Sequence, residues 1–354
     1  TLNGVLTSLG AVQNQAGGTI ALDADMIATG QTVTQDGAMT VTGVRTLSTA
    51  GLTGAGSIGM AKGGGMPDHL VLAQTGPSTF AGAFTGAGEL SLTGGGTLTL
   101  TGSSTLSGVV HVLSGHLRTQ GAANRLTGTP ELRVAPAGVV TFDTAEGLGI
   151  VTNQGVVTAN QALTVARLTN QSGATLNLNA PLTSLGAVWN QAGGVVNLAS
   201  DIKATGQVVT QDGQLTVTGT RGINAAEFLG VGTVTLSPGS RLDLNQSGDS
   251  TFAGVIEGSG AFHRQGKGEL VLTGLNTYTG LTTVEAGHLR TSGAAGRLAG
   301  GGAFTVNDGA RLTFGTSEVI GVLGNSGAVV LDAGRTLTVA SLLNTGTGAM
   351  TLNG

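Results

Sequence analysis

The sequence predicts an all-β chain, a parallel β-helix (β-solenoid) with about 17–20 residues per coil, and three observations carry that prediction. Gly fills 64 of the 354 positions and Pro only 6, with no collagen-like triplet period. Short runs place an apolar residue at every second position, as a strand with one buried face does. Asn153, Asn170 and Asn190, then Asn325 and Asn344, recur at spacings of 17, 20 and 19, each followed within four residues by Gly and another alternating run. A string of β-sandwiches would need bulkier aromatic cores than 3% aromatic residues can supply.

Repeats order the chain. Residues 6–18, LTSLGAVQNQAGG, and 28–37, ATGQTVTQDG, return 176 positions later as LTSLGAVWNQAGG at 182–194 and ATGQVVTQDG at 204–213. Farther on, STFAG at 78–82 and GHLRTQGAANRL at 115–126 return 172 positions later, the latter as GHLRTSGAAGRL at 287–298. The chain is thus two copies of one unit, 1–176 and 177–354. Alternation holds through residues 177–182, which predicts one continuous solenoid without a hinge there. Runs such as TLTLT at 97–101, LTVT at 215–218 and TVTL at 233–236 read as strands, because the branched Cβ of Thr and Val suits a pleated surface. Gly between the runs supplies the positive φ of tight corners. About 18 coils at the ~4.8 Å strand spacing would make a rod on the order of 90 Å long. Asn at one corner of successive coils predicts a hydrogen-bonded ladder. Residues 222–230 and 292–299 are the best candidates for single helical turns. TLNG at both 1–4 and 351–354 suggests an excerpt from a longer array.

Charge and composition exclude several functions. The net charge of −4, from 15 Lys and Arg against 19 scattered Asp and Glu, gives no basic patch for nucleic acid. No run approaches the ~18 apolar residues of a membrane-spanning helix. Residues 300–354 lack the aromatic-girdled alternation of a membrane barrel. With no Cys, disulfides and Cys-ligated metals are excluded.

Residues 258–289 read GSGAFHRQGKGELVLTGLNTYTGLTTVEAGHL. Gly266, Gly268, Leu270, Leu272, Thr273, Gly274, Asn276, Thr277, Tyr278, Thr279, Gly280, Thr282, Val284, Gly287 and Leu289 resemble the autotransporter-associated β-strand repeat. Phe262 and Arg264 stand where that pattern has Leu and Lys. Residues 86–117 form a degraded echo. The resemblance implies a right-handed β-helix secreted by the type V route from a Gram-negative cell, within an adhesin or other surface-exposed passenger. It also implies that the repeat assists secretion and folding and is not catalytic.

No catalytic, cofactor-binding or metal-binding residue is assigned. The G-x-G-x-x-G at 54–59 lacks a following helix to hold a pyrophosphate and reads as a coil turn. Gly runs at 63–65, 94–96 and 300–302 have no Asp where a calcium roll needs one. A β-helical polysaccharide hydrolase or lyase would need clustered carboxylates, the closest pairs being Asp23 with Asp25 and Asp243 with Asp249. Asp25 returns as Asp201, but Asp23 becomes Ala199, so solvated corners are the simpler account. Asp36 and Asp212 sit in identical QDG turns, where Asx-type bonding is expected. His116-Leu-Arg118 and His288-Leu-Arg290 place His and Arg on one strand face, where an anion or glycan would fit but a plain exposed face is the simpler account; His69, His111 and His263 are dispersed, and Trp189 and Tyr278 are isolated aromatics. Thr-x-Thr pairs starting at 32, 40, 97, 99, 216, 233 and 336 have no fixed coil spacing, unlike an ice-binding array. Asn170 and Asn245 head glycosylation sequons that a bacterial source would make accidental.

The expectation is therefore a structural segment of an extracellular, tandem-repeat β-helical fibre or adhesin stalk, non-catalytic and continuing or assembling end to end. Its partners would be copies of itself or flanking repeats. The rival readings are an adhesive passenger that binds a glycan or host surface and, further off, a β-helical polysaccharide-degrading enzyme.

Overall fold

The computed structural model describes residues 1–61 and 66–353; the 63–65 Gly run and Gly354 lie outside them. Contacts divide the chain into two units, Thr1–Leu168 with Gly173–Ala180, and Thr169–Ser172 with Pro181–Gly354. Each is an all-β parallel solenoid, and among the described residues there is no helix.

A coil has three strands on three faces. In the first unit Leu6–Thr7, Val12–Asn14 and Thr19–Leu22 make one coil. Leu6 pairs with Met26, Val12 with Val33 and Thr19 with Ala38 of the next, all parallel. The second unit repeats this from Leu182–Ser184, Val188–Asn190 and Val195–Leu198, where Leu182 pairs with Ile202, Val188 with Val209 and Val195 with Gln214. In the second coil of each unit two faces run together as Met26–Gln35 and Ile202–Gln211, bent at Gly30 (φ +76°) and Gly206 (φ +74°).

The coil is less uniform than the expected 17–20 residues. Val139 pairs with Val156, 17 positions on, while Ser57 pairs with Ala83, 26 positions on. Asp68 closes the base of that larger coil: its Oδ1 accepts the Gly43 N–H at 2.7 Å and its Oδ2 the Ala61 N–H at 3.0 Å.

Most inward strand positions are apolar on every face. All eight Phe are at most 2% exposed, so the few aromatic residues lie in the core. Phe80 stacks on Phe84 at 5.2 Å and Phe228 on Phe252 at 5.1 Å.

The Gly excess has a structural cause. At one corner Gly18, Gly37, Gly56, Gly82 and Gly102 form a column, and Gly194, Gly213, Gly232, Gly254 and Gly274 form its counterpart. A Cβ on Gly56 would lie 2.0 Å from Gly37 O, and one on Gly274 1.7 Å from Gly254 O. The carbonyls so approached carry the coil-to-coil bonds, Ser57 N to Gly37 O and Val255 N to Gly232 O, both 2.9 Å.

Beside this column runs the expected amide ladder. Asn170 Nδ2 donates to Asn190 Oδ1 at 2.9 Å, and Asn190 Nδ2 to Gln211 Oε1 at 3.0 Å. Asn14 donates to Gln35 Oε1 at 3.0 Å and Asn325 to Asn344 Oδ1 at 2.7 Å. Gln joins Asn in the ladder because either amide presents a donor and an acceptor along the stacking axis.

Neither expected helical turn forms. Residues 222–230 fall within the strand Thr220–Leu229 and its corner, with Ile223 paired to both Ile202 and Leu244. Alternate inward residues Ile223 and Ala225 satisfy a strand there, and the ladder overrides the local preference. Residues 292–299 are a loop held by a buried carboxylate.

Candidate functional site

The segment 262–290 runs over all three faces of consecutive coils. Leu270, Leu272 and Leu289 point into the core at 0–1% exposure. Gly274 belongs to the Gly column, and Asn276, fully buried, fixes the corner after it. Asn276 Oδ1 accepts the Ile256 N–H at 2.9 Å, and its Nδ2 donates to Gly274 O and Arg297 O, both at 3.0 Å. Tyr278 lies edge-on to Phe262 at 6.1 Å, and its hydroxyl meets Thr282 Oγ1 at 2.6 Å. Burial pushes the Tyr278 phenol well above its usual pKa, so it stays a neutral core group. In the first unit Ser104 and Leu106 occupy the places of Asn276 and Tyr278; the Ser104 hydroxyl accepts the Phe84 N–H at 3.2 Å.

After each such segment a loop is clamped by a carboxylate that the sequence analysis missed. Glu146, 3% exposed, accepts the N–H groups of Arg125 at 2.9 Å and Leu126 at 3.1 Å. Glu318, 2% exposed, does the same for Arg297 at 2.9 Å and Leu298 at 3.0 Å. Thr144 and Thr316 hydroxyls complete each clamp at 2.6 and 2.5 Å. A signal existed: TAE at 144–146 and TSE at 316–318 keep the 172-residue offset of the preceding GHLR.

Arg264 is unusual. It is fully buried, in line with Leu244 and Val284, and Nη2 donates to Gly268 O while Nε and Nη1 have no partner. Burial lowers its pKa to about 10, with Asp249 opposing the shift. The first unit has Leu92 there, 2% exposed.

All the carboxylates singled out in the sequence except Asp23, which is half-buried, are occupied by the backbone or by cations. Asp25 and Asp201 accept the N–H groups of Thr46 and Gly222, each at 2.8 Å. Asp36 and Asp212 accept from Ala55 at 3.0 Å and Val231 at 3.1 Å, so they bond across to the next coil and not within an Asx turn of their own. Asp249 accepts from Glu269 N at 2.7 Å, while Asp243 pairs with Arg241 at 2.7 Å and lies 3.5 Å from His263 Nδ1. Asp243 and Asp249 share none of these partners.

The duplicated His-Leu-Arg rows form matching outward clusters. His116 Nε2 meets Thr141 Oγ1 at 2.9 Å and Arg118 pairs with Asp143; His288 meets Thr313 at 2.8 Å and Arg290 pairs with Asp332 at 2.5 Å. Burial, helped by the neighbouring Arg charge, holds His116 and His288 below the usual imidazole value. His69 and His111 face each other at 6.2 Å with Glu89 3.5 Å from His111. Among the described residues no group of three or more His, Cys, Asp or Glu is arranged to hold a metal.

The remaining motifs resolve simply. Residues 54–59 turn into the strand Ser57–Met60, so no helix N-terminus meets a phosphate. Thr97 and Thr99 pair with His116 and Arg118, which breaks any flat Thr array. Asn170 is fully buried in the amide ladder, whereas Asn245 is exposed. Trp189 is 43% exposed, with its indole N–H donated to Asp212 Oδ2 at 2.9 Å. A cleft of about 530 Å³ opens beside the second clamp, between Leu298, Ser317, Val319 and Thr336. Both Glu318 oxygens are already bonded to the loop, which leaves the cleft no free carboxylate.

Comparison with known proteins agrees with this geometry. The passenger-associated-transport-repeat family matches residues 90–118 and 262–290, the two segments that carry the Gly column into the clamped loops. A 118-residue stretch is 38% identical to the adhesin BmaC autotransporter of Brucella suis biovar 1 (strain 1330), covering 33% of this chain and 3% of that protein. No solved structure matches. Each unit thus holds one segment similar to the passenger-associated-transport repeat, and part of the chain is similar to an autotransporter adhesin.

Proposed function

We propose that the chain is a non-catalytic stalk segment of a surface-exposed adhesin, whose coils carry distance and present an outer face. The observation that carries this reading is the duplicated engagement of its polar groups. Glu146 and Glu318, Asp25 and Asp201, and Asp36 and Asp212 all bond backbone N–H groups of neighbouring segments, the same way in each unit. An enzyme needs one unique cluster with free acid and base groups. The similarity to a protein named as an adhesin supports the same reading. The test is reducing-end release from a panel of acidic and neutral polysaccharides, run beside protease shaving of intact cells that express the gene. The expected result is no turnover and loss of the chain on shaving. Turnover abolished by Asp243→Asn would overturn it.

A second reading, direct adhesion, is favoured by Trp189. The indole is pinned by Asp212 with part of its surface exposed, whereas the first unit has Gln13 there. Aromatic faces of this kind stack on sugar rings. Glycan-array binding lost in Trp189→Ala would promote this reading over the stalk.

A further inference from the structure

On the strand face that carries Trp189, outward residues of the second unit align coil on coil. Trp189 pairs with Thr210, and Thr210 with Leu229. The bridge between Gly230 and Phe252 sets Leu229 beside Thr251, which pairs with Val271. The stripe therefore alternates. Trp189, Leu229 and Val271 stand two coils apart, ~9.6 Å at the usual strand spacing, with Thr210 and Thr251 between them. It ends where Val271 pairs with Arg290. Asp212 stiffens its start: Oδ2 holds the indole N–H at 2.9 Å, while Oδ1 accepts at 3.1 Å the N–H of Val231, which is 69% exposed.

The first unit lacks this alternation. At the same places it has Gln13, Thr34, Thr53, Thr79 and Thr99, again one per coil, and the Thr34 and Thr53 hydroxyls meet at 3.2 Å. Charge differs in parallel. Glu227, Asp249 and Glu269 stand two positions before Leu229, Thr251 and Val271, so they share the outward side. The first unit has Gly51, Pro77 and Thr97 there. Asp249 Oδ1 accepts the Glu269 N–H at 2.7 Å and Glu269 lies 3.5 Å from His288 Nδ1; among the described residues none of the three carboxylates forms an ion pair with Arg or Lys. A merely solvated face needs only the Thr column of the first unit, so large apolar groups at every second coil beside an acidic edge point to a ligand.

We propose that the stripe from Trp189 to Val271 is a binding surface for a β-linked amino-sugar polysaccharide lying along the axis of the second unit. Each pyranose ring of such a chain spans close to one coil and turns over from ring to ring. The same ring face therefore recurs every second coil, as Trp189, Leu229 and Val271 do. The CH faces of alternate rings cover the indole and the two aliphatic side chains, and ring hydroxyls meet Thr210 and Thr251. Ammonium groups along one edge meet Glu227, Asp249 and Glu269, a row that repels an acidic glycan. A basic peptide would match the charge, but extended peptides join sheets through an open strand edge. Here the backbone of each strand is engaged by the coils on either side. This rests on the direct-adhesion reading and names its ligand class.

Trp189 is the one Trp of the chain, so intrinsic fluorescence reads the stripe directly. A hexamer of β-1,4-linked glucosamine should move the emission to shorter wavelength with saturation, and bind less tightly as salt rises. Its N-acetylated form should bind more weakly. Leu229→Thr with Val271→Thr copies the first unit and should weaken glucosamine-hexamer binding about tenfold or more. Glu227→Gln with Glu269→Gln should weaken it too and leave the N-acetylated hexamer unchanged. No saturable shift, or unchanged affinity in Leu229→Thr with Val271→Thr at intact β circular dichroism, overturns the stripe as the site. Tighter binding of the N-acetylated hexamer, of hyaluronan or of oligolysine overturns the amino-sugar assignment. Direct adhesion is read separately, by glycan-array binding lost in Trp189→Ala, so it can stand when the amino-sugar assignment fails.

Discussion

Arg264 and Glu318 are both buried charges in the second unit, and they predict opposite mutational effects. Arg264 has two guanidinium nitrogens without partners, so its burial opposes folding and the ionised form is disfavoured. Arg264→Leu, which copies Leu92, should stabilise the second unit by about 1–3 kcal/mol in urea titration. A loss of stability would show that the guanidinium is better satisfied than its geometry indicates. Glu318 is fully partnered by two backbone N–H groups and Thr316. Glu318→Gln sets an amide against those donors and should cost about 1–3 kcal/mol, with faster proteolysis at 292–299. The Asn ladder was legible in the sequence because one residue type recurs at one spacing. The clamps were not, since Thr-x-Glu is common and becomes informative only when both copies are aligned on the 172-residue offset. Arg264 stands where the repeat pattern has Lys, and nothing local in the sequence distinguishes an inward from an outward cation at that position.

At the level of the coil, strands were legible and corners only partly so. Alternation gave the inward set, as in Thr233–Leu236, where Val234 and Leu236 are fully buried. Residues 222–230 misled because NAAEFL has good helix formers, yet parallel pairing on both sides holds the segment extended. The Gly column predicts a sharp contrast between two glycines of one unit. Gly274→Ala drives a Cβ to 1.7 Å from Gly254 O and should cost about 2–4 kcal/mol. Gly239→Ala meets nothing within 4 Å and carries only the positive-φ strain, about 1–2 kcal/mol. Similar midpoints for the two variants would remove the close-approach account. The outward His rows predict the pH response. His111, His116 and His288 have folded values below the ordinary 6.5, burial being the first cause in each. The unfolded chain therefore takes up these protons first on acidification. Stability from the neutral imidazoles is complete above about pH 6.5 and falls progressively below it. Urea midpoints between pH 8 and 5 should decline, and less steeply in His116→Gln with His288→Gln.

Over a whole unit, the decisive feature is that, among the described residues, strand pairing joins each coil only to the coil before and the coil after, while side-chain bonds such as Arg290–Asp332 reach at most one coil further. No central core ties distant coils together, so stability is a sum of coil terms and nearest-neighbour terms. A lesion in one coil should then open its neighbours and fade with distance, where a two-state globular domain would lose protection everywhere at once. Glu318 offers the test within the second unit. Its clamp holds 297–298, which pair through Leu298 with Asn276, while Val195–Leu198 and Gln214–Val217 lie several coils away. In Glu318→Ala, amide hydrogen exchange should accelerate at 276–320 by about 10- to 100-fold, corresponding to about 1.4–2.8 kcal/mol of lost local protection. Amides of Val196, Leu215 and Val217 should keep their unmodified rates, because the strands bonded to them are untouched. Uniform acceleration across the unit, with a single calorimetric transition, would mean that the coils unfold as one body. Arg264→Leu in the same chain should slow exchange at 262–284 without restoring 292–299, since the coil term it improves and the clamp that is broken are separate contributions.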